Sequence, residues 1–333
     1  MSISEVRWGI IGCGDVTEVK SGPAFSEAEH SSLVAVMRRN AAKAADYAAR
    51  HKVPRWYNDA TKLINDPEVN AVYIATPPDT HARYAIEAMK AGKPVYVEKP
   101  MARNYAGCQE MIRVSKETKM PLFVAYYRRS LALFLKVKEL VETGMIGKPL
   151  TVNIQFYKEA TEKNLTPDQL PWRVFPKIAG AGYFYDMGSH QLDILDFLFG
   201  PISDVHGTSR NLAGLYPAED TVSASFSFEN GVTGTGSWCF VTAKSAERDI
   251  IEIIGTEGSL HFDCFGPFKL ILKRKDGTTG FVFPRPEHIA GGLIKQVVEE
   301  LRGVGKAPGT GVSAARTSWV MEEIVKDYYN HFD

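Results

Sequence analysis

Residues 6–17 read VRWGIIGCGDVT, and no other stretch limits the fold of this chain as tightly. An apolar run (Val6, Trp8, Ile10, Ile11) predicts a buried strand. It breaks at Gly12-Cys13-Gly14, and polar helix-starting residues follow. A strand ending in Gly-x-Gly before a helix lets backbone pass close to a pyrophosphate, with the helix N-terminus aimed at it. Gly12 would permit the tight turn, and Gly14 would remove a Cβ that strikes a phosphate. Thr17 stands where the usual fingerprint has a third glycine, with an expected loss of close helix–strand packing. A buried strand entering an ordinary glycine turn would look the same over so few residues.

The rest of the first half alternates. Apolar strands are predicted over 33–37, 55–57, 71–75, 94–97 and 121–125. Helical stretches over 41–51, 59–65, 81–91 and 104–119 separate them, and Pro23 keeps the first helix short. Asp59 is placed to cap one helix and Asp79 or Thr80 the next. Cys108, Met111, Ile112 and Ser115 form the apolar stripe of 104–119. Such alternation with short links predicts an α/β fold with a doubly wound parallel sheet. Ligands of these sheets sit at the carboxyl ends of the strands. Here those ends hold Gly12-Cys13-Gly14, Arg38-Arg39, Thr76-Pro77-Pro78, Glu98-Lys99-Pro100 and residues 126–129.

The end of the second strand meets the adenosine ribose of a dinucleotide. An acidic residue there would accept hydrogen bonds from a free 2′-hydroxyl. Arg38 and Arg39 suit a 2′-phosphate instead. NADP(H) is therefore preferred, with NAD(H) still admissible; a solvated basic loop is the plainer alternative. Lys99 is placed to exchange a proton with a substrate oxygen. Taken alone, it would pass for an ordinary surface lysine.

After a break at Gly147-Lys148-Pro149 the texture changes. Strands are predicted over 149–157, 203–211, 220–228, 231–240, 249–254, 259–263, 269–274 and 279–283. Consecutive strands predict a mainly antiparallel sheet with one face open to a partner. One helix interrupts them, over 183–199. Asp186 and His190 lie four apart on it and share a face, which Asp193 joins. A carboxylate beside an imidazole holds its tautomer and raises its basicity. That suits proton transfer or a grip on sugar hydroxyls, although a surface ion pair has the same spacing. No metal is expected, because no cysteine or second histidine lies near. Pro171-Trp172-Arg173 puts an aromatic and a guanidinium on a loop ahead of the helix. Helices over 289–302 and 312–329 are expected to pack back on the N-terminal domain or the interface. The predicted domains are 1–125, binding nucleotide, and 126–333, binding substrate and forming the oligomer.

Acidic and basic residues balance at 39 each, so nothing marks a nucleic-acid binder. No apolar run approaches the roughly 20 residues of a membrane helix. SISEVR after Met1 lacks the basic and apolar segments of a secretory signal. Cys13, Cys108, Cys239 and Cys264 are scattered, without a CxxC, which suits free thiols in the cytoplasm.

GIIGCG at 9–14, TPPDTH at 76–81, AGKPVYVEKP at 91–100 and D-x-G-x-H-x-x-D at 186–193 together resemble the glucose–fructose oxidoreductase / inositol dehydrogenase family, Gfo/Idh/MocA. The resemblance covers nearly the whole chain. It implies an N-terminal Rossmann domain and a C-terminal α+β domain with a large open sheet. It also implies an NAD(P)-dependent oxidoreductase acting on CH–OH groups of sugars, polyols or related carbonyls. Lys99 would then be the catalytic lysine, with Asp186 and His190 completing the site. Gly12, Cys13, Gly14, Asp15, Val16, Arg38, Arg39, Thr76, Pro77, His81, Glu98 and Lys99 would bind the cofactor. Trp172, Arg173 and His288 would meet its nicotinamide end. Arg129 and Asp193 would join Lys99, Asp186 and His190 in holding substrate. Asp15 must then point away from the phosphates, and Asp79 stands where the family often has Asn. The expected assembly is a homodimer or homotetramer through the C-terminal sheet. The family also holds glycosidases that retain NAD and a non-catalytic sensor. The arginine pair argues against the first, and intact Lys99, Asp186 and His190 against the second.

Overall fold

The computed structural model describes residues 3–329. The chain divides into two compact units, Met1–Ser130 with Pro286–Ala315 and Leu131–Arg285 with Arg316–Asp333.

In the first unit the order is β1 (Val6–Ile11), α1 (Ala24–Glu27), β2 (Ser31–Met37), α2 (Ala41–Arg50), β3 (Arg55–Tyr57), α3 (Ala60–Ile64), β4 (Ala71–Ile74), α4 (His81–Lys90), β5 (Val95–Val97), α5 (Tyr105–Thr118) and β6 (Leu122–Val124). The strands lie β3-β2-β1-β4-β5-β6, all parallel. All their carboxyl ends therefore share one edge, and the winding reverses between β1 and β4. In open parallel sheets that reversal opens a crevice for a ligand. Both faces of the central sheet are covered, so β4, β5 and β6 are apolar and buried throughout. Ile11, Ile74 and Val97 face Leu63, Met89 and Met111 of the helices on one side. On the other, Trp8 packs on Phe25 (centroids 4.9 Å apart) and Tyr73 stacks on Tyr96 (5.1 Å). A late helix, Gly291–Leu301, lies against α1.

Asn40, Asp59 and Asn104 cap their helices through side-chain oxygens. α4 departs from the sequence reading. Thr80 precedes it, but neither Asp79 nor Thr80 caps it. The Thr80 hydroxyl donates to Thr76 Oγ1 (2.8 Å) and to the Pro77 carbonyl (3.0 Å). Pro78 opens a 3₁₀ turn, Pro78–Thr80, that leads directly into the helix, so no cap is needed.

The second unit holds α6 (Ala132–Glu142), β7 (Pro149–Glu159), α7 (Pro176–Ala179), α8 (Ser189–Phe199), β8 (Ile202–Arg210), β9 (Thr221–Phe228), β10 (Thr233–Thr242), β11 (Arg248–Gly255), β12 (Gly258–Phe262), β13 (Lys269–Arg274) and β14 (Gly277–Val282). They form an eight-stranded sheet in the order β14-β13-β12-β11-β7-β10-β9-β8. Only β7 and β10 pair in parallel. Val152, Ile154 and Phe156 of β7 are buried while Gln155 between them is exposed, the alternation of a sheet covered on one face. α8 packs on the covered face, where Trp238 Nε1 donates to Gln191 Oε1 at 2.6 Å. The late helix is α9, and α10 (Gly311–Tyr329) ends the described chain. Ala314 and Ala315 of α10 pack in the first unit's core. Its later turns pack on β8. Among the described residues no helix is long and apolar enough to cross a membrane.

The β8–α10 contact is backbone against backbone. A Cβ on Gly207 would lie 2.4 Å from the Ile324 carbonyl oxygen. Gly207→Ala must push strand and helix apart, and should destabilise the protein by about 1–3 kcal/mol. Urea unfolding should show a lower midpoint at unchanged slope.

Candidate functional site

In the first unit the carboxyl edge of the sheet is built around Gly12. Its φ of +95° favours glycine, and a Cβ there would lie 2.8 Å from Thr76 Cγ2 and 2.9 Å from the Thr76 nitrogen. The Gly12 and Cys13 N–H groups donate to the Met37 carbonyl, tying the turn to the end of β2. Gly14 differs: a Cβ there would meet nothing nearer than the Gly12 carbonyl, at 3.9 Å. No protein neighbour forbids a side chain at Gly14. Thr17 is fully buried, and its hydroxyl accepts from the Gly14 N–H (3.0 Å) and donates to the Gly14 carbonyl (2.8 Å). Instead of loosening the packing, it clasps the turn and opens a π-helical turn, Thr17–Ser21. Burial pushes the Cys13 thiol up to about 11, which keeps it protonated. Asp15 is exposed and Val16 half-buried.

Arg38 and Arg39 follow β2. Among the described residues neither guanidinium has a carboxylate partner. The nearby acid Glu18 is engaged elsewhere: Arg50 pairs with it at 2.7 Å and His51 Nε2 lies 2.7 Å from it. The Arg50 hydrogen bonds, helped by His51, hold its carboxyl down at about 2. The loop thus offers backbone and uncompensated positive charge, and it fits a dinucleotide.

Beyond the switch point lie Thr76, Pro77, His81, Glu98 and Lys99. His81 is buried, with Nε2 2.7 Å from the Thr76 carbonyl and Nδ1 3.0 Å from the Pro100 carbonyl. Burial lowers its pKa against the pull of both carbonyls. The neutral ring, which can donate to one of the two carbonyls, is wedged between the ends of β4 and β5. Glu98 Oε1 accepts from Tyr73 OH at 2.6 Å, and Oε2 from the Lys99 N–H at 3.2 Å. Lys99 is half-buried and its peptide bond to Pro100 is cis. Arg129 is buried and donates through Nη1 to the Pro308 carbonyl at 3.2 Å. His288 contacts the Val19 carbonyl through Nδ1 (3.3 Å) and Glu27 through Nε2 (3.1 Å), which sets it beside α1.

The second unit holds Trp172, Arg173, Asp186, His190 and Asp193. The spacing predicts one α-helix over 183–199. Instead a π-helical turn, Phe184–Gly188, precedes α8. Such turns widen the helix, so Asp186 and His190 are not a plain i,i+4 pair. His190 and Asp193 are 3 % and 1 % exposed, which excludes a surface ion pair. Asp186 is half-buried and accepts from Arg173 Nε at 3.0 Å, while the Arg173 guanidinium lies 4.6 Å from the Trp172 ring centre. Separate readings of Trp172-Arg173 and of Asp186 do not anticipate that link, because sequence distance conceals it. Sequence reasoning also misses Glu219, a fully buried carboxylate that accepts from the Gly182 N–H just before the π turn. Its only signal is an acid two residues ahead of a strand of alternating polar and apolar residues. Among the described residues no cluster of His, Cys, Asp or Glu could hold a metal ion.

Comparison with known proteins agrees with this architecture. Residues 6–126 match a family model described as "Oxidoreductase family, NAD-binding Rossmann fold", and residues 134–261 match a "GFO/IDH/MocA C-terminal domain". The chain is 36% identical to "Oxidoreductase P35" of Formosa agariphila, over 96% of this chain and 98% of that one. It is 27% identical to a myo-inositol 2-dehydrogenase of Thermotoga maritima, over 83% and 80% of the two chains. A levoglucosan dehydrogenase solved with NADH and levoglucosan shares the fold, with a TM-score of 0.85, 23% identity and 98% of each chain covered. With both halves matched and a full-length relative at that identity, the chain belongs to the Gfo/Idh/MocA family and is an NAD(P)-dependent oxidoreductase.

Proposed function

We propose that this protein is an NADP(H)-preferring dehydrogenase or reductase of sugars, polyols or related carbonyl compounds. One observation carries the cofactor preference: two guanidiniums without carboxylate partners stand at the end of β2, on the same sheet edge as the glycine turn. A 2′-phosphate satisfies both by charge-assisted hydrogen bonds, whereas a 2′-hydroxyl leaves them unpaired. When bound, the dinucleotide supplies a hydride donor or acceptor at its nicotinamide. The turn of Gly12, Cys13, Gly14, Asp15 and Val16 would lie against its pyrophosphate, with the Asp15 carboxylate turned away. Thr76, Pro77, His81 and Glu98 would hold the nicotinamide half, with Trp172, Arg173 and His288 at its end.

The remaining chemistry belongs to side chains. Lys99 exchanges the proton at the substrate hydroxyl or carbonyl oxygen. Asp186 and His190 serve proton transfer and substrate binding, and Asp193 and Arg129 hold substrate hydroxyls. The burial of Asp193, His190 and Arg129 supports this role, because buried polar groups orient a polyhydroxylated ligand by fixed hydrogen bonds. The named activities of the inositol and levoglucosan relatives support the substrate class. A homodimer or homotetramer through the eight-stranded sheet agrees with the exposed Ile250 and Ile271 on its uncovered strands. Four free cysteines agree with a cytoplasmic setting.

A panel of aldoses, ketoses, inositols and dicarbonyls with NADPH and NADP+, read by nicotinamide absorbance, tests the reading; no turnover on any of them would reject it. On the substrate so found, Lys99→Met should lose about 10²–10⁴-fold in kcat and keep its NADPH affinity. Undiminished turnover would remove Lys99 from the chemistry. Arg38→Asp should weaken NADPH by about 10–100-fold and shift preference toward NADH. Equal NADPH affinity by fluorescence titration would refute the 2′-phosphate assignment.

A further inference from the structure

Glu219 is fully buried two residues before β9, outside every group assigned above. Both its oxygens accept from the Gly182 N–H, at 2.9 and 3.0 Å, and Tyr329 OH donates to Oε2. Gly182 is itself packed too tightly for a side chain, since a Cβ would lie 2.7 Å from the Glu219 carbonyl oxygen. The Gly182 carbonyl in turn accepts from the Tyr185 N–H at 3.1 Å, inside the first turn of the segment that carries Asp186. A continuous path therefore runs from the Glu219 carboxylate through one glycine to the π turn. We propose that Glu219 is a positioning residue for the Asp186–His190 segment, holding the Gly182 turn from which that segment starts. This inference rests on the reading of Asp186 and His190 as site residues.

The groups facing Glu219 give the path a pH-dependent control. They are Asp220 beside it in sequence, Tyr329 and Tyr328 of α10, and Tyr216 of the preceding loop. None is a cation, and among the described residues no cation pairs with Glu219. Burial, reinforced by Asp220, pushes its carboxyl up to about 7, against the hydrogen bonds from Tyr329 and Gly182. Above that pH the ionised carboxylate grips Gly182 fully. Below it, one oxygen carries a proton and must donate, and the grip weakens.

The test follows the π turn directly in the full-length protein, without substrate or cofactor. Met187 lies within the turn and is one of nine methionines, so its 13C-methyl resonance can be assigned by Met187→Leu. [15N]Glycine labelling reports the Gly182 amide. In wild type both signals should titrate together with a midpoint near pH 7. In Glu219→Gln, which keeps the shape but not the charge, both inflections should vanish. A Gly182 amide that titrates while the Met187 methyl stays still would overturn the inference. So would a Met187 inflection that survives in Glu219→Gln, because another group, such as His190, would then cause it. Should Glu219→Gln not fold, Tyr329→Phe, which removes the donor to Oε2, should move both midpoints together to higher pH, and a Met187 midpoint that stays put would overturn the inference. The readout involves no turnover, so an inactive enzyme with coupled signals would count against the proposed function and leave the positioning role intact.

Discussion

Gly12 and the backbone of Thr76 come so close that no side chain fits between them. That approach joins the carboxyl ends of β1 and β4, the two strands on either side of the reversal in winding. Everything assigned to the nucleotide depends on it. The Met37 carbonyl then ties the glycine turn to β2, and His81 sits buried between the Thr76 segment and Pro100 after β5. Four strand ends are thereby linked by backbone hydrogen bonds and one buried imidazole. Few side-chain charges take part.

The electrostatics of that edge follow from who is paired with whom. Glu18, one turn beyond the glycines, would repel a phosphate if it were free. Arg50 and His51 neutralise it from α2. Glu98 is held on the other side of the switch point by Tyr73, whose ring belongs to the aromatic stack under the sheet. Packing of Trp8, Phe25, Tyr73 and Tyr96 thus fixes the carboxylate beside Lys99 as well as filling the core. A core of smaller aliphatic residues would bury similar area but would offer Glu98 no donor.

The second unit relies on a different device. A π turn breaks helical regularity where Asp186 sits, and π turns concentrate at functional sites because they re-aim side chains. The turn is restrained at both ends of its sequence neighbourhood. Arg173 takes the Asp186 carboxylate, and Glu219 takes the Gly182 amide. The Arg173–Asp186 pair is partly exposed and modest in strength by itself. Its consequence is orientation, because Arg173 is also stacked on Trp172.

Local pattern was enough to determine the two-part architecture, the parallel sheet, the mainly antiparallel one and the cap at Asp59. Apolar periodicity, proline breaks and Asn or Asp before a helix are nearest-neighbour physics, legible within a dozen residues. The motif residues Gly12, Lys99, Asp186 and His190 were legible for a related reason: their types are unusual at strand ends and on a buried helix. Tertiary structure alone decided what those residues touch. Glycine at 12 is required by Thr76, 64 positions away, and Glu219 reaches Gly182 across 37. The cap at Thr80, the α-helical register at Asp186 and the packing loss at Thr17 were misjudged because each depends on competing hydrogen bonds that the fold supplies. Periodicity measures burial along one element, whereas hydrogen-bond partners and buried charge depend on distances between elements, which only the closed chain defines.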